Sequence, residues 1–179
     1  PMEDKALIRR LFEIEAERNE IIIYTDNQNI RLTGIFPHNS PDVYFGFWES
    51  TDDFNLNKEV FQLLNDDLIL AGRKNLIGPL NFNTFHNYRL RIDEIPSWKM
   101  FDREPVNPLY YPEFLDKLGF KVKSVFESRH VDKEKVPHFY ADKKPFLERV
   151  SQLPFKFVPL NKQSWITYEN DIYDFINET

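Results

Sequence analysis

Glu49 ends the run VYFGFWES. A carboxylate at the end of a strand is a candidate base for an amine, directly or through a water, provided its geometry and pKa suit the transfer. Strict alternation along the run puts Glu49 on the side of Phe45 and Phe47, where burial would raise its pKa; the competing expectation is a solvated strand-end carboxylate. His86, within NFNTFHNYRLR, is the best placed of the four histidines for proton transfer, against the alternative of a hydrogen-bonded loop side chain. Tyr110 and Tyr111 precede Pro112 and offer phenols that either donate a proton or pack the start of a helix. Arg89 and Arg91, with Lys99 and Arg103 beyond them, offer cationic donors to an anionic ligand. Asp93, Glu94, Asp102 and Glu104 in the same stretch can instead neutralise them. His38, His130 and His138 have no ligand-like spacing with one another or with paired carboxylates, so no metal is expected. There is no G-x-S-x-G elbow and no P-loop, which removes serine hydrolase and nucleotide hydrolase readings.

The chain that must position these groups has 179 residues, enough for one domain or one domain with a short extension. It has no cysteine, so thiol catalysis, thiolate metal sites and disulfides are excluded. A net charge of −6 with scattered Lys and Arg argues against nucleic acid as a partner. No run of about 18 apolar residues occurs, and Glu3, Asp4, Lys5, Arg9 and Arg10 make the start unlike a signal peptide. A soluble cytoplasmic protein without a membrane partner is expected. The 16% aromatic content suits either a packed core or an aromatic-lined groove.

Leu7, Ile8, Leu11, Phe12 and Ile14 fall close to one helical face over residues 4–18. EIIIYT and IRLTGIF flank the turn DNQN and predict a hairpin over 20–36. VYFGFWES is apolar on both faces and should be a central strand. After TDDFN, with Asp53 or Asn55 as N-cap, Leu56, Val60, Phe61, Leu63, Leu64 and Leu68 mark a helix that Gly72 closes. NLIGPLNF is a short strand that Gly78 and Pro79 interrupt. Residues 83–106 read as a long loop with a short strand near RLRI. NPLYYPEFLDKLGF is a proline-started helix, and FKVKSVFESRHV, residues 120–131, is strand-like with Val122, Ser124 and Phe126 alternating. DKEKVPHFYADKKP looks like a boundary, followed by a strand at FKFVPL and a final helix from Ser164 to Asn177. The fold class is α/β in the α+β sense, with helices packed on a mixed, largely antiparallel sheet.

VYFGFWES followed by a helix, then NLIGPLNF, then NPLYYPEFLDKLGFKVKSVF resemble, in that order, the GNAT-like acyltransferases. More closely, GFWES, GPLNF and NPLYYPEFLDKLGF are similar to a bacterial GNAT-like group with GFFE, GPMNFS and PPYYPELLEKAGF type segments, over roughly residues 43–130. The resemblance implies a GNAT-like sheet with helices on both faces and acyl transfer from acetyl-coenzyme A, or another acyl-coenzyme A, to a small-molecule amine or other acyl acceptor, without a metal. It implies a carboxylate base at the place of Glu49; Tyr111, a turn or two before the family's tyrosine position, is the candidate acid for the departing thiolate that the sequence offers, and His86 is a further catalytic candidate by its own placement. Asn55, Leu56, Asn81 and Arg89 become the cofactor-binding candidates. It also implies a GNAT-like domain over 1–131, a charged proline-containing connection over 132–150, and a strand and helix over 151–179 like the opening of a second GNAT-like unit. A second GNAT-like domain or a homodimer is the expected protein partner.

Two departures keep a second reading open. The family cradles pyrophosphate on an Arg/Gln-x-x-Gly-x-Gly/Ala turn at a helix start, where backbone N–H groups and the helix dipole favour an anion. TDDFNLNK stands there instead, with no glycine and with Asp52 and Asp53 opposing a phosphate. The family tyrosine four residues before the helix-ending glycine is replaced by Leu115. The alternative is therefore a non-catalytic GNAT-like module that has lost its pyrophosphate-binding turn and binds a partner, a second domain or a small ligand.

Overall fold

The computed structural model describes residues 5–93, 104–129, 131–156 and 158–178. Two compact units emerge, 1–123 and 124–179. The first contains α1 (Lys5–Glu15), β1 (Asn19–Thr25), β2 (Ile30–Pro37), β3 (Asp42–Ser50), α2 (Phe54–Leu70), β4 (Asn75–Ile77) and α3 (Tyr110–Lys117). The second contains a single 3-10 turn, Lys133–Lys135, followed by α4 (Val136–Ser151) and α5 (Lys162–Glu178).

The hairpin forms where turn chemistry demands it. Asp26 Oδ1 accepts the backbone N–H groups of Gln28, Asn29 and Ile30 at 2.9, 2.7 and 3.1 Å, while Asn27 takes a left-handed φ of 66°. Those donors favour the ionised form and hold the Asp26 carboxyl well below the usual carboxylate range. The sheet order is β1-β2-β3-β4, antiparallel for the first two pairs and parallel for β3 with β4. The parallel step requires a crossover, and α2 supplies it. The α+β class read from the sequence is thus the observed one.

One face of the sheet presents Leu32, Phe36, Val43, Phe45 and Trp48 to Val60, Phe61, Leu64 and Leu68 of α2 and to Tyr111 and Phe114 of α3. On the opposite face Phe12 of α1 meets the rings of Phe47 and Phe82, both at 4.9 Å. Leu63, expected on the buried stripe of α2, is exposed, because it lies off the arc shared by residues 57, 60, 61, 64 and 68. The two helices that meet the core end alike. Gly72 and Gly119 adopt φ of 66° and 89°. Arg73 and Phe120 then reach back with their N–H groups to the Leu68 and Leu115 carbonyls, both at 3.0 Å, the closing pattern that favours glycine.

Several expected elements take another form. FKVKSVFESRHV makes no strand among its described residues, and FKFVPL makes none among its own. A strand is defined by ladder pairing, and among the described residues neither segment takes part in the β1-β2-β3-β4 sheet. Near RLRI the described residues form only an isolated Leu80–Tyr88 bridge, and the left-handed φ of 64° at Arg89 bends the chain out of extension. The segment read as a boundary is mostly α4; Pro137 lies in its first turn, where a missing N–H costs nothing, and Pro145 lies inside it. Among the described residues no helix is long and apolar enough to cross a membrane.

Candidate functional site

The site begins with an irregularity in β3. Thr33 of β2 faces Gly46, but Arg31 faces Glu49, so Phe47 and Trp48 together oppose the single residue Leu32. This is a β-bulge, with Phe47 at a φ of 47°. The extra residue reverses the expected alternation. Trp48 turns into the core, 5.4 Å from the Phe61 ring and stacked at 4.0 Å on Tyr111. Phe47 turns to the opposite face, and Glu49 follows it. The expectation that Glu49 shares a side with Phe45 is therefore corrected: its side chain is 74% exposed and pairs with Arg31 across the ladder at 3.0 Å.

The chain after β4 closes against this bulge. Gly78–Pro79 is a cis peptide, after which Leu80 donates its N–H to the Phe45 carbonyl at 2.8 Å and Asn81 Oδ1 accepts the Phe47 N–H at 2.7 Å. Gly46 is required by this approach, because a Cβ there would collide with the Leu80 carbonyl. Gly46→Ala is expected to lower stability by about 2 kcal/mol, the usual cost of overpacking, as measured by urea unfolding; an unchanged midpoint would show that residues 80–82 yield freely.

Around the end of β3 lies a buried polar network. Asn57, fully buried on the inner face of α2, accepts the Trp48 indole N–H at 3.0 Å and donates to Ser50 Oγ at 2.6 Å and to the Asp53 carbonyl at 2.7 Å. Ser50 in turn receives Tyr110 Oη on its carbonyl and gives its N–H to Tyr111 Oη, both at 2.7 Å. Burial raises the pKa of Tyr111 and of Tyr110, the latter helped by the charge of Asp52. Tyr111 thus serves as a hydrogen-bond acceptor for the strand and a stacking partner for Trp48.

Four of the seven sequence-derived candidates line one groove of about 440 Å³ beside the bulge: Glu49, Asn81, Arg89 and Tyr111. Arg89 stands over the Tyr88 ring at 5.0 Å and approaches Glu104 at 3.5 Å. Arg91 shares Glu104 at 3.6 Å and also meets Asp93, so Glu104 neutralises part of the cationic patch expected to bind an anion. The other three candidates lie elsewhere. His86 is exposed in the turn after β4, with its N–H on the Asn83 carbonyl. Asn55 is exposed in the first turn of α2, and the Leu56 N–H donates to Asp53 Oδ1 at 3.1 Å. Asp53 is the N-cap. Its carboxylate occupies a backbone donor that a pyrophosphate on this helix would use. Sequence reasoning missed Asn57, Trp48 and Ser50 as site residues; the available signal was an asparagine on the apolar stripe of α2.

No protein-family profile, curated protein or solved structure matches this chain.

Proposed function

We propose that this chain is a non-catalytic, GNAT-like binding module whose coenzyme A cradle is filled by its own side chains, leaving the groove beside β3 for a small ligand or partner segment. The observation that carries the reading is the Asp53 carboxylate on the Leu56 N–H. It neutralises the positive helix end from within, and the neighbouring Asp52 adds repulsion toward any incoming phosphate. Glu49 supports the same conclusion, being a largely solvated partner of Arg31. The mixed sheet with helices against both faces agrees with the resemblance to the acyltransferases.

A second reading, an acyl-coenzyme A-dependent N-acyltransferase, is favoured by the gathering of Glu49, Tyr111, Asn81 and Arg89 on one groove. In that case Glu49 accepts the amine proton and Tyr111 protonates the thiolate. Calorimetric titration with acetyl-coenzyme A separates the two. The module gives no saturable heat up to about 1 mM cofactor, equivalent to less than about 4 kcal/mol of binding. Saturable binding well below that concentration overturns it, and loss of turnover in Glu49→Gln would then support the enzyme.

A further inference from the structure

No described residue of 124–179 is buried, although α4 and α5 both carry pronounced apolar stripes. On α4 the stripe runs through Val136, Phe139, Tyr140, Phe146, Leu147 and Val150; on α5 it runs through Trp165, Tyr168, Ile172, Phe175 and Ile176. These positions repeat at three, four and seven residues, the spacing of a helix face made for packing. Phe146 is 53% exposed and Phe175 69%. Helices of this length depend on tertiary burial more than on intrinsic propensity. So large an open apolar surface on a protein marks an interaction site.

We propose that a second copy of this chain covers these stripes, α4 of each copy packing on α5 of the other in a two-fold four-helix bundle. Charge selects this occupant. The segment from Lys133 through α4 is net basic, with Lys133, Lys135, Lys143, Lys144 and Arg149 against Glu134, Asp142 and Glu148. From Gln163 to Glu178 the chain has no basic residue, but it has Glu169, Asp171, Asp174 and Glu178. Each surface is therefore attracted to the other and repelled by its own kind, as a reciprocal interface requires. One stripe position on each helix is itself charged. Lys143 lies seven residues from both Val136 and Val150, and Glu169 lies four after Trp165 and seven before Ile176. Among the described residues Lys143 stands over the Phe139 ring at 5.7 Å, and neither Lys143 nor Glu169 has an ion-pair partner. Opposed across the interface, the two would fix its register as a polar residue in a helical seam does.

Length and enclosure point the same way. The helices have 16 and 17 residues, so their stripes can overlap along about 25 Å. Two helices side by side leave one edge of each stripe in water, whereas four enclose all the stripes.

Light scattering and sedimentation across about 1–100 µM chain test this. The expected species at the upper end has twice the 21.5 kDa chain mass. Lys143→Glu alone and Glu169→Lys alone should each weaken the dimer at least tenfold. Mixing the two single variants should restore it, because each mixed dimer opposes the two reversed charges on one side and the native Lys143 and Glu169 on the other. That rescue is readable even if either variant is poorly helical alone. The proposal fails if the native chain stays monomeric throughout, if neither reversal weakens the dimer, or if mixing gives no rescue while the double variant recovers as a monomer, which would place the pairing within one chain.

Discussion

Asn57→Leu is expected to reduce the stability of the chain by about 2 kcal/mol. The substitution keeps an unbranched-at-Cβ side chain on a fully buried helix position but leaves three polar partners without their bonds: the Trp48 indole N–H, Ser50 Oγ and the Asp53 carbonyl. The buried Trp48 indole N–H stranded in this way costs about 1–3 kcal/mol, whereas half-buried Ser50 Oγ still donates to the Thr51 carbonyl at 2.8 Å and Asp53 is exposed. Leucine recovers part of the sum through apolar burial, about 1–2 kcal/mol. Asp53 keeps its backbone bond from the Asn57 N–H at 3.2 Å, which limits the loss at that carbonyl. Urea unfolding of the native chain, Asn57→Leu, Trp48→Phe and the double variant measures the effect and its origin. The double-variant cycle should show a coupling of about 1 kcal/mol, since both changes remove the same hydrogen bond. A loss below about 1 kcal/mol for Asn57→Leu would show that water replaces the amide and that the network does not hold Ser50. Because Ser50 anchors Tyr110 and Tyr111, loosening it should also disturb the groove.

This network shows where sequence reasoning stopped. The hairpin, the crossover helix and the two glycine-closed helix ends follow from local chemistry, because Asp26, Asp53, Gly72 and Gly119 act within a few residues of themselves. Asp53 was legible as an N-cap for the same reason, and that bond is what closes the helix start. The bulge was not legible. Alternation has a period of two, and inserting one residue sends everything beyond it to the other face. Only the pairing of Arg31 with Glu49 and of Thr33 with Gly46 reveals the insertion, and it alone moves Glu49 away from Phe45. The absence of strands among the described residues of 120–131 and 155–160 has a related cause. Alternating Val, Ser and Phe describe a side chain pattern that suits a sheet, but a ladder needs a partner in space. In the segment read as a boundary, Pro137 and Pro145 do not stop a helix, and the stripe from Val136 to Val150 carries the helical period through them.

Raising the pH above 10 is expected to destabilise the 1–123 unit. Tyr24 donates to Asp67 Oδ2 at 2.6 Å, and its pKa is raised by burial, by that hydrogen bond and by the Asp67 charge. Tyr110 and Tyr111 are raised as well, chiefly by burial. An unfolded tyrosine ionises near pH 10. A group whose folded pKa lies above that value contributes its stability in full below pH 10 and loses it as pH rises, because the unfolded chain then releases a proton that the folded chain keeps. Each retained proton removes at most about 1.4 kcal/mol per pH unit. The partly exposed Tyr24 and Tyr110 fall below that limit through solvent screening. Stability therefore falls as the pH rises past 10, more steeply the more of the three phenols the fold keeps protonated. Tyrosine absorbance and far-ultraviolet circular dichroism followed together from about pH 8 to 12.5 give the test. Tyr24, Tyr110 and Tyr111 should ionise together with the loss of structure. Ionisation of all eight in one step near pH 10 with the fold intact would remove the buried-phenol account of this site. In Tyr111→Phe the alkaline slope should shrink by up to one proton while stability at pH 7 also falls, since the Ser50 N–H loses its acceptor.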